Sequence, residues 1–264
     1  MILFTGRGDL FSTFNKKYPS GVVSVRNLTD NELKAHFRQT EVLIHNAADL
    51  ACADLKTAVE NNFLLTKRVA DLLFEVNANA KMINIASMSF LENENDYKNI
   101  DNMSLYAYSK YLAETYCLQL NSKQIVSVRF STLFYQNPAK DGLSKLIHDA
   151  VDFNKITLIN DGTAYRNFIP LEVAADYLFQ IANSPFEKLD NKINLVSDKK
   201  HNFKQIAVFL QTLEPDLVIE NKNLEHIIDV LCDFSIEKLT YLNIHHFDLE
   251  KYIKDYFSKL KNKQ

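Results

Sequence analysis

The chain has 264 residues, 47% of them hydrophobic and 24% charged, with a formal net charge of −3. This profile suits a soluble globular protein of one large domain or two interleaved lobes, with a substantial core. It gives no electrostatic case for nucleic acid or an anionic membrane as partner, and no apolar run approaches a membrane span.

Ile2 to Thr5 is a short apolar strand that runs into Gly6-Arg7-Gly8, too soon for a signal peptide. A helical pattern from about Leu10 to Tyr18 follows, closed by Pro19-Ser20-Gly21, and Val22 to Val25 reads as a second buried strand. Strand, glycine turn, helix and strand open a dinucleotide-binding βαβ unit, in which a cofactor diphosphate approaches backbone N–H groups at a helix N-terminus. Glycine is scarce here, with five in the chain, so two in one turn are informative. The third fingerprint position holds Phe11, or Ser12 in the alternative spacing, and Asp9 brings a carboxylate to the same turn. Arg26 ends the second strand where an acidic residue would favour NAD. A guanidinium there, with Arg7 nearby, suits a 2′-phosphate and points to NADP, the plain alternative being a solvated strand-end arginine.

A short helix from Leu28 to about Arg38 has Thr29 or Asp30 as its cap. Val42 to His45 is a third buried strand followed by the small residues Asn46-Ala47-Ala48, which permit close approach of a ligand. His45 by itself reads as structural. A helix from about Leu55 to Val76 carries Val59, Phe63, Leu64, Val69, Leu72 and Leu73 at helical spacing, interrupted by Asn62, a hint of a buried polar role. Lys81 to Ala86 is a fourth strand, with Ser87-Met88-Ser89 directly after it. An acidic, polar loop leads to Ser104, a plausible N-cap for a helix bearing Tyr106 and Lys110. At i and i+4 the two share a helix face, and an ammonium beside a phenol lowers its pKa and suits proton transfer near neutral pH. A chain this rich in tyrosine and lysine carries such a pair by chance, so its weight depends on what surrounds it. Val126 to Phe130 is a fifth strand.

Alternating short strands and helices predict a parallel, doubly wound α/β sheet of Rossmann type. The interval from Val25 to Val42 is short, so about one βα unit is trimmed. The turn-rich stretch Asn137 to Gly142 marks the boundary after a dinucleotide-binding domain of residues 1–134. Residues 135–264 form mainly a smaller substrate-binding lobe, with some segments returning to the first domain. Within that lobe the pattern gives a helix from Leu143 to Phe153, a strand from Ile156 to Ile159, a helix through Ile181 and a strand from Ile193 to Val196. Helices from His201 to Leu213 and Leu249 to Leu260 follow, with a frayed basic tail from Lys259 to Lys263. The adjacent His245 and His246 read as structural. The cysteines Cys52, Cys117 and Cys232 are odd in number and lack metal-ligand spacing, which argues for a reducing, cytoplasmic setting and no metal site.

Together these stretches resemble the extended short-chain dehydrogenase/reductase family, the NAD-dependent epimerase/dehydratase group acting on nucleotide sugars. Thr5-Gly6 sits where that family opens its glycine turn, and Val42 to Ala48 is similar to its Val-Ile-His-x-Ala-Ala segment. Asn62 and Thr66 match Asn-x-x-Gly-Thr with Leu65 in place of glycine. Ile85-Ala86-Ser87 matches the strand end carrying the catalytic serine or threonine, and Tyr106 to Lys110 matches Tyr-x-x-x-Lys. Arg129 to Phe134 resembles Arg-x-x-Asn-x-Tyr without its Asn or Tyr, and Gly162 to Ile169 resembles the loop whose arginine meets the substrate diphosphate.

The resemblance implies Tyr106 as proton donor or acceptor at the sugar oxygen. Lys110 would tune it and hold the nicotinamide ribose, and Ser87 would bond the reacting oxygen, with Ser89 as fallback. It further implies Arg166 on a phosphate, cofactor contacts from Gly6, Gly8, Arg26, Asn27, Ala47 and Asn62, and a homodimer through the helices holding Asn62 and Tyr106. Met88 and Ser89 stand where the family's dehydratases place an Asp-Glu pair, and no cysteine lies near Ser87 in sequence, as double epimerase/reductases require. The expected activity is therefore NADP-preferring reduction of a keto-sugar nucleotide, with NAD possible, in surface-polysaccharide or deoxysugar synthesis. A nucleotide-sugar 4-epimerase is the alternative enzyme, and a non-catalytic dinucleotide-binding or regulatory protein the alternative of another class.

Overall fold

The computed structural model describes residues 1–92, 96–197, 199–224 and 247–263. Cys232, His245 and His246 lie outside them. The described residues divide into two compact units. Unit 1 holds the described residues of Met1–Phe130 and Ala174–Leu195, and unit 2 holds Ser131–Val173 and the described residues from Val196 onward.

In chain order, unit 1 begins β1 (Ile2–Thr5), α1 (Asp9–Lys17), β2 (Gly21–Val23), α2 (Asp30–Phe37), β3 (Val42–His45) and α3 (Leu55–Ala58). A π-helical turn, Val59–Leu64, joins α3 to α4 (Leu65–Val76); β4 (Lys81–Ser87), α5 (Leu105–Asn121) and β5 (Ile125–Phe130) follow. The next elements are β6 (Thr132–Phe134), α6 (Gly142–Phe153), β7 (Lys155–Ile159), β8 (Tyr165–Arg166), β9 (Phe168–Pro170), α7 (Leu171–Asn183) and β10 (Lys192–Leu195). Then come β11 (His201–Asn202), α8 (Phe203–Leu213), β12 (Val218–Lys222) and α9 (Leu249–Lys261).

A parallel six-stranded sheet in the order β10-β5-β4-β3-β1-β2 organises unit 1. Its strands are near-continuous apolar runs because helices cover both faces of such a sheet; all of β5 and β3 is buried. The order reverses direction between β1 and β3, the switch point at which open α/β sheets bind ligands beyond their C-terminal strand ends. Between β2 and β3 there is α2 and no strand, in keeping with the short interval in the sequence. Strand β2 stops at Val23, two residues earlier than expected, and Arg68 bonds the carbonyls of Val25 and Leu28 to hold the turn that follows. The α2 start is a capping box, Thr29 with Glu32, and Ser104 caps α5 by accepting from Ala107 N–H at 3.2 Å.

The helix expected over residues 55–76 is continuous but contains the π turn, which adds a residue and rotates everything beyond it. Leu64, counted on the apolar face, is consequently 46% exposed, while Asn62 is 1% exposed. One core cluster of unit 1 packs Leu33, Phe37, Leu43, Val69, Leu73 and Cys117 together. Unit 2 has its own core, in which Phe134, Ile147, Phe168, Leu210, Ile253 and Phe257 meet. The tail expected to fray is instead the last turn of α9, where Lys261 pairs with Glu214 at 2.6 Å and lies over the Phe257 ring. Among the described residues no helix is long and apolar enough to cross a membrane, and no group of three metal-ligating side chains occurs.

A buried ion pair joins α5 to β5. Glu114 accepts from Arg129 Nε at 2.8 Å and from its Nη2, both side chains being under 5% exposed. Arg129 also donates to the Tyr97 hydroxyl and lies over the Phe90 ring, which ties down the loop after β4. Removing one partner strands a charge in the interior. Arg129→Met is expected to lower unfolding free energy by about 3–5 kcal/mol in urea titrations, and the double variant Glu114→Leu/Arg129→Met to recover most of that loss.

Candidate active site

At the C-terminal end of β1, Gly6 adopts φ +91°, a conformation L side chains rarely take, and the Ala47 backbone lies 3.4 Å from where a Cβ would stand. Gly8 is the N-cap of α1 and supplies no capping side chain. Phe11, at the third fingerprint position, lays its ring against Phe4 at 5.5 Å and makes the helix-to-strand contact that glycine makes by absence of a side chain. Asp9 sits half-buried in the first turn of α1, while Arg7, Arg26 and Asn27 are exposed.

Behind this turn lies a buried hydrogen-bonded network that sequence alone does not reveal. Thr66 donates to the carbonyl of Asn62 at 2.6 Å, so it must accept from His45 Nε2 at 2.9 Å. His45 Nδ1 is then the acceptor for the Thr5 hydroxyl at 2.7 Å, and Thr5 Oγ1 in turn accepts from the N–H groups of Asn46 and Ala47. Burial first, then the charges of Lys110 and Arg26, push the His45 pKa down to about 3, so the ring is neutral in one tautomer. The Asn62 side chain accepts from Asp49 N–H at 2.6 Å and donates to Ser109 Oγ at 3.0 Å. Ser109 donates onward to the backbone carbonyl of Tyr106 at 2.8 Å. One residue, inward because of the π turn, thus links the loop after β3 to the helix of Tyr106. The structural reading of His45 and the polar role of Asn62 agree with this arrangement.

Ser87, the last residue of β4, donates to Ser89 Oγ at 2.9 Å and accepts from the Ser89 N–H at 3.1 Å. Lys110, one turn along α5, is 3% exposed. Here an expectation from sequence is overturned. The Tyr106 phenol pKa is raised: burial dominates, the Ser87 hydroxyl opposes it, and the Cys52 charge adds to it. Lys110 is not among the causes, because its own burial pushes its pKa down to about 8, against the charges of Cys117 and Glu114. Spacing on a helix placed the two side chains on one face but could not report how far each is desolvated. The fold also brings Cys52 within electrostatic reach of Tyr106, although it is distant from Ser87 in sequence. Burial raises the Cys52 pKa, so it stays a thiol at neutral pH.

In unit 2, Arg166 is half-buried on β8 and donates to the Tyr165 carbonyl at 2.8 Å. It borders a cavity of about 280 Å³ that Leu146, Ile156, Leu158, Gly162 and Phe203 also line. The aromatic wall and the apolar floor suit a flat ring, and Arg166 suits an anion. Thr5 and Thr66, quoted from the sequence only as parts of motifs, and Ser109 and Cys52 had no assigned role in the site. Their signal was weak but present: Thr5 interrupts a buried strand, and Ser109 and Thr66 are polar on helix faces that carry apolar neighbours.

The pKa of Lys110 has a consequence for stability. Below about pH 8 the folded chain carries a buried ammonium, at a cost relative to the unfolded chain; between about 8 and 10.5 the folded form loses its proton first, and that cost is relieved as pH rises. Lys110→Met is therefore expected to raise the melting temperature relative to wild type by more at pH 7 than at pH 10, as followed by circular dichroism.

The sequence and the fold both have counterparts among known proteins. A family model described as the NAD dependent epimerase/dehydratase family matches residues 12–196. A search of the curated proteins finds no match. Among solved structures, MoeE5 in complex with UDP-glucuronic acid and NAD superposes with TM-score 0.80 at 15% identity, covering 100% of this chain and 99% of that one. UDP-glucuronic acid 4-epimerase from Bacillus cereus, in complex with NAD, gives 0.79 at 17% identity, covering 99% and 96%. L-threonine dehydrogenase from Clostridium difficile gives 0.80 at 20% identity, covering 99% and 98%. At such identities the likeness speaks for the fold, whereas the sequence match runs from α1 past β10 and takes in Asn62, Ser87, Tyr106 and Lys110. The chain belongs to the NAD dependent epimerase/dehydratase family.

Proposed function

We propose that this chain is a reductase of a keto-sugar nucleotide. The observation that carries the reading is the Ser87 hydroxyl at the end of β4 acting to lower the pKa of the Tyr106 phenol, with Lys110 buried one turn further along α5. Ser87 orients the reacting oxygen, and Tyr106 gives it a proton as the carbonyl becomes an alkoxide. A dinucleotide supplies the hydride when bound. Gly6, Gly8 and the uncapped start of α1 would hold its diphosphate, Ala47 and Asn62 would line it, and Arg7, Arg26 and Asn27 would meet the adenosine end. The two exposed guanidinium groups support a 2′-phosphate and hence NADP over NAD. Arg166 would pair with a substrate phosphate at the mouth of the unit 2 cavity, whose flat aromatic wall suits the base.

Reduction is preferred over dehydration because Met88 is 4% exposed and packed in the core, with no carboxylate following Ser87. Leu64 and Leu120, exposed on the helices that carry Asn62 and Tyr106, support a homodimer through that face. The setting inferred is the cytoplasm, with the product serving polysaccharide or deoxysugar synthesis.

The test is a fluorescence titration with NADPH and NADH, followed by turnover assays with 4-keto-6-deoxy nucleotide sugars. NADPH is expected to bind more tightly, and Tyr106→Phe to lower kcat by about 10²–10⁴-fold. NAD(H) that co-purifies and does not exchange would point to a 4-epimerase. Failure of either dinucleotide to bind at millimolar concentration would leave only a non-catalytic role and sink the enzyme reading.

A further inference from the structure

The backbone between β2 and α2 is held by one side chain from a distant helix. β2 is the outer strand of the described sheet, and its pairing with β1 stops at Val23, opposite Thr5 and next to the glycine turn. Peptide carbonyls that leave a strand ladder need another donor. Arg68 on α4 supplies it: Nη1 donates to the Val25 carbonyl at 3.0 Å and Nη2 to the Leu28 carbonyl at 2.7 Å. Its Nε donates to Asp30 Oδ1, in the first turn of α2, at 2.7 Å.

Each guanidinium nitrogen is thus committed between Val25 and Asp30. The guanidinium fork is planar and rigid, so acceptors that satisfy all of it at once are fixed relative to one another. The Asn27 N–H donates to the Ser24 carbonyl at 3.3 Å and closes the turn. Val25 is buried in the core with Val69 and Leu72, and Leu28 packs against the same cluster. Between these two anchors, Arg26 and Asn27 are exposed. They are the residues placed above at the adenosine end of the dinucleotide. Arg68 itself has its nitrogens turned to the backbone and to Asp30, so its part is to hold the turn and not to meet the cofactor.

We propose that Arg68 is a positioning residue for cofactor choice. By fixing the turn it presents the Arg26 guanidinium to the 2′ position of the adenosine ribose, and so favours the dinucleotide that carries a phosphate there. The inference rests on the dinucleotide reading of the site and names the residue that sets its preference. A turn already ordered before binding avoids the cost of ordering Arg26 on the phosphate. NADH has no 2′-phosphate and gains little from that order, so loosening the turn falls mainly on NADPH. A scaffold role alone would weaken both dinucleotides alike.

The test is a fluorescence titration of NADPH and NADH into wild type, Arg68→Met, Arg26→Ala and the double variant, with circular dichroism to check folding. Arg68→Met is expected to weaken NADPH binding by about three- to tenfold more than NADH binding. Arg26→Ala is expected to reduce the same preference, and Arg68→Met added to it to reduce the preference no further, because both act through one contact. Equal weakening of the two dinucleotides in folded Arg68→Met overturns the proposal, as do additive losses of preference in the double variant. If Arg68→Met does not fold, Arg68→Lys decides: an ammonium keeps the charge but cannot reproduce the planar fork, and an unchanged preference there overturns the proposal. Wild type that binds neither dinucleotide sinks the enzyme reading and this proposal with it. Wild type that binds both without preference overturns the proposal and leaves the dinucleotide site standing, so the two failures are distinguishable.

Discussion

The side chain of Asn62 is the constraint on which the candidate site depends. An amide buried to this degree must find partners for both its oxygen and its nitrogen, and it finds them in the loop after β3 and on α5. Ser109 passes the restraint to the carbonyl of Tyr106, so the helix carrying the phenol is positioned through its own backbone. The carbonyl of Asn62 anchors Thr66, then His45, then Thr5, and Thr5 in turn holds the N–H groups beside the glycine turn. The glycine turn and the tyrosine helix are thus ends of one hydrogen-bonded chain. Such a chain is of value only when every member is satisfied, since a buried donor or acceptor left open costs more than the bond contributes.

This arrangement needs the π turn between α3 and α4. In a regular α-helix the face that buries Val69 and Leu73 would not also turn Asn62 inward, and the extra residue of the π turn reconciles the two. Single-turn π insertions are associated with functional sites for this reason: they redirect one side chain and leave the rest of the helix intact. The neutral, fixed tautomer of His45 is a second consequence. It bridges two strands and a helix without carrying charge, leaving Lys110 and the Arg129–Glu114 pair as the charges beneath α5.

Much of the architecture was legible in the chain. The strands β1, β3, β4 and β5 are apolar runs whose ends agree with expectation to within a residue or two, because a strand buried on both faces admits little else. Ser104 caps α5 as its hydroxyl and position imply. Less legible were the short pairings β6 with β9, β8 with β11 and β7 with β12, which join segments far apart in sequence and carry little periodicity of their own. The basic stretch at the end of α9 read as frayed because its charges suggest solvent, yet the Lys261 ammonium lies over the Phe257 ring and pairs with Glu214.

For the site, sequence by itself determined which side chains share a helix face or a strand end: Ser87 closing β4, Tyr106 and Lys110 one turn apart on α5, two glycines in the first turn, and an asparagine breaking an apolar face. Those facts follow from local periodicity, which is a property of neighbouring residues. Tertiary structure alone decided that the Tyr106 phenol pKa is raised by burial, that the Lys110 pKa is lowered for the same reason, that Cys52 comes within electrostatic reach of Tyr106, and that His45 accepts from Thr5. Desolvation and hydrogen-bond direction depend on which distant segments meet, and no spacing within one segment carries that information.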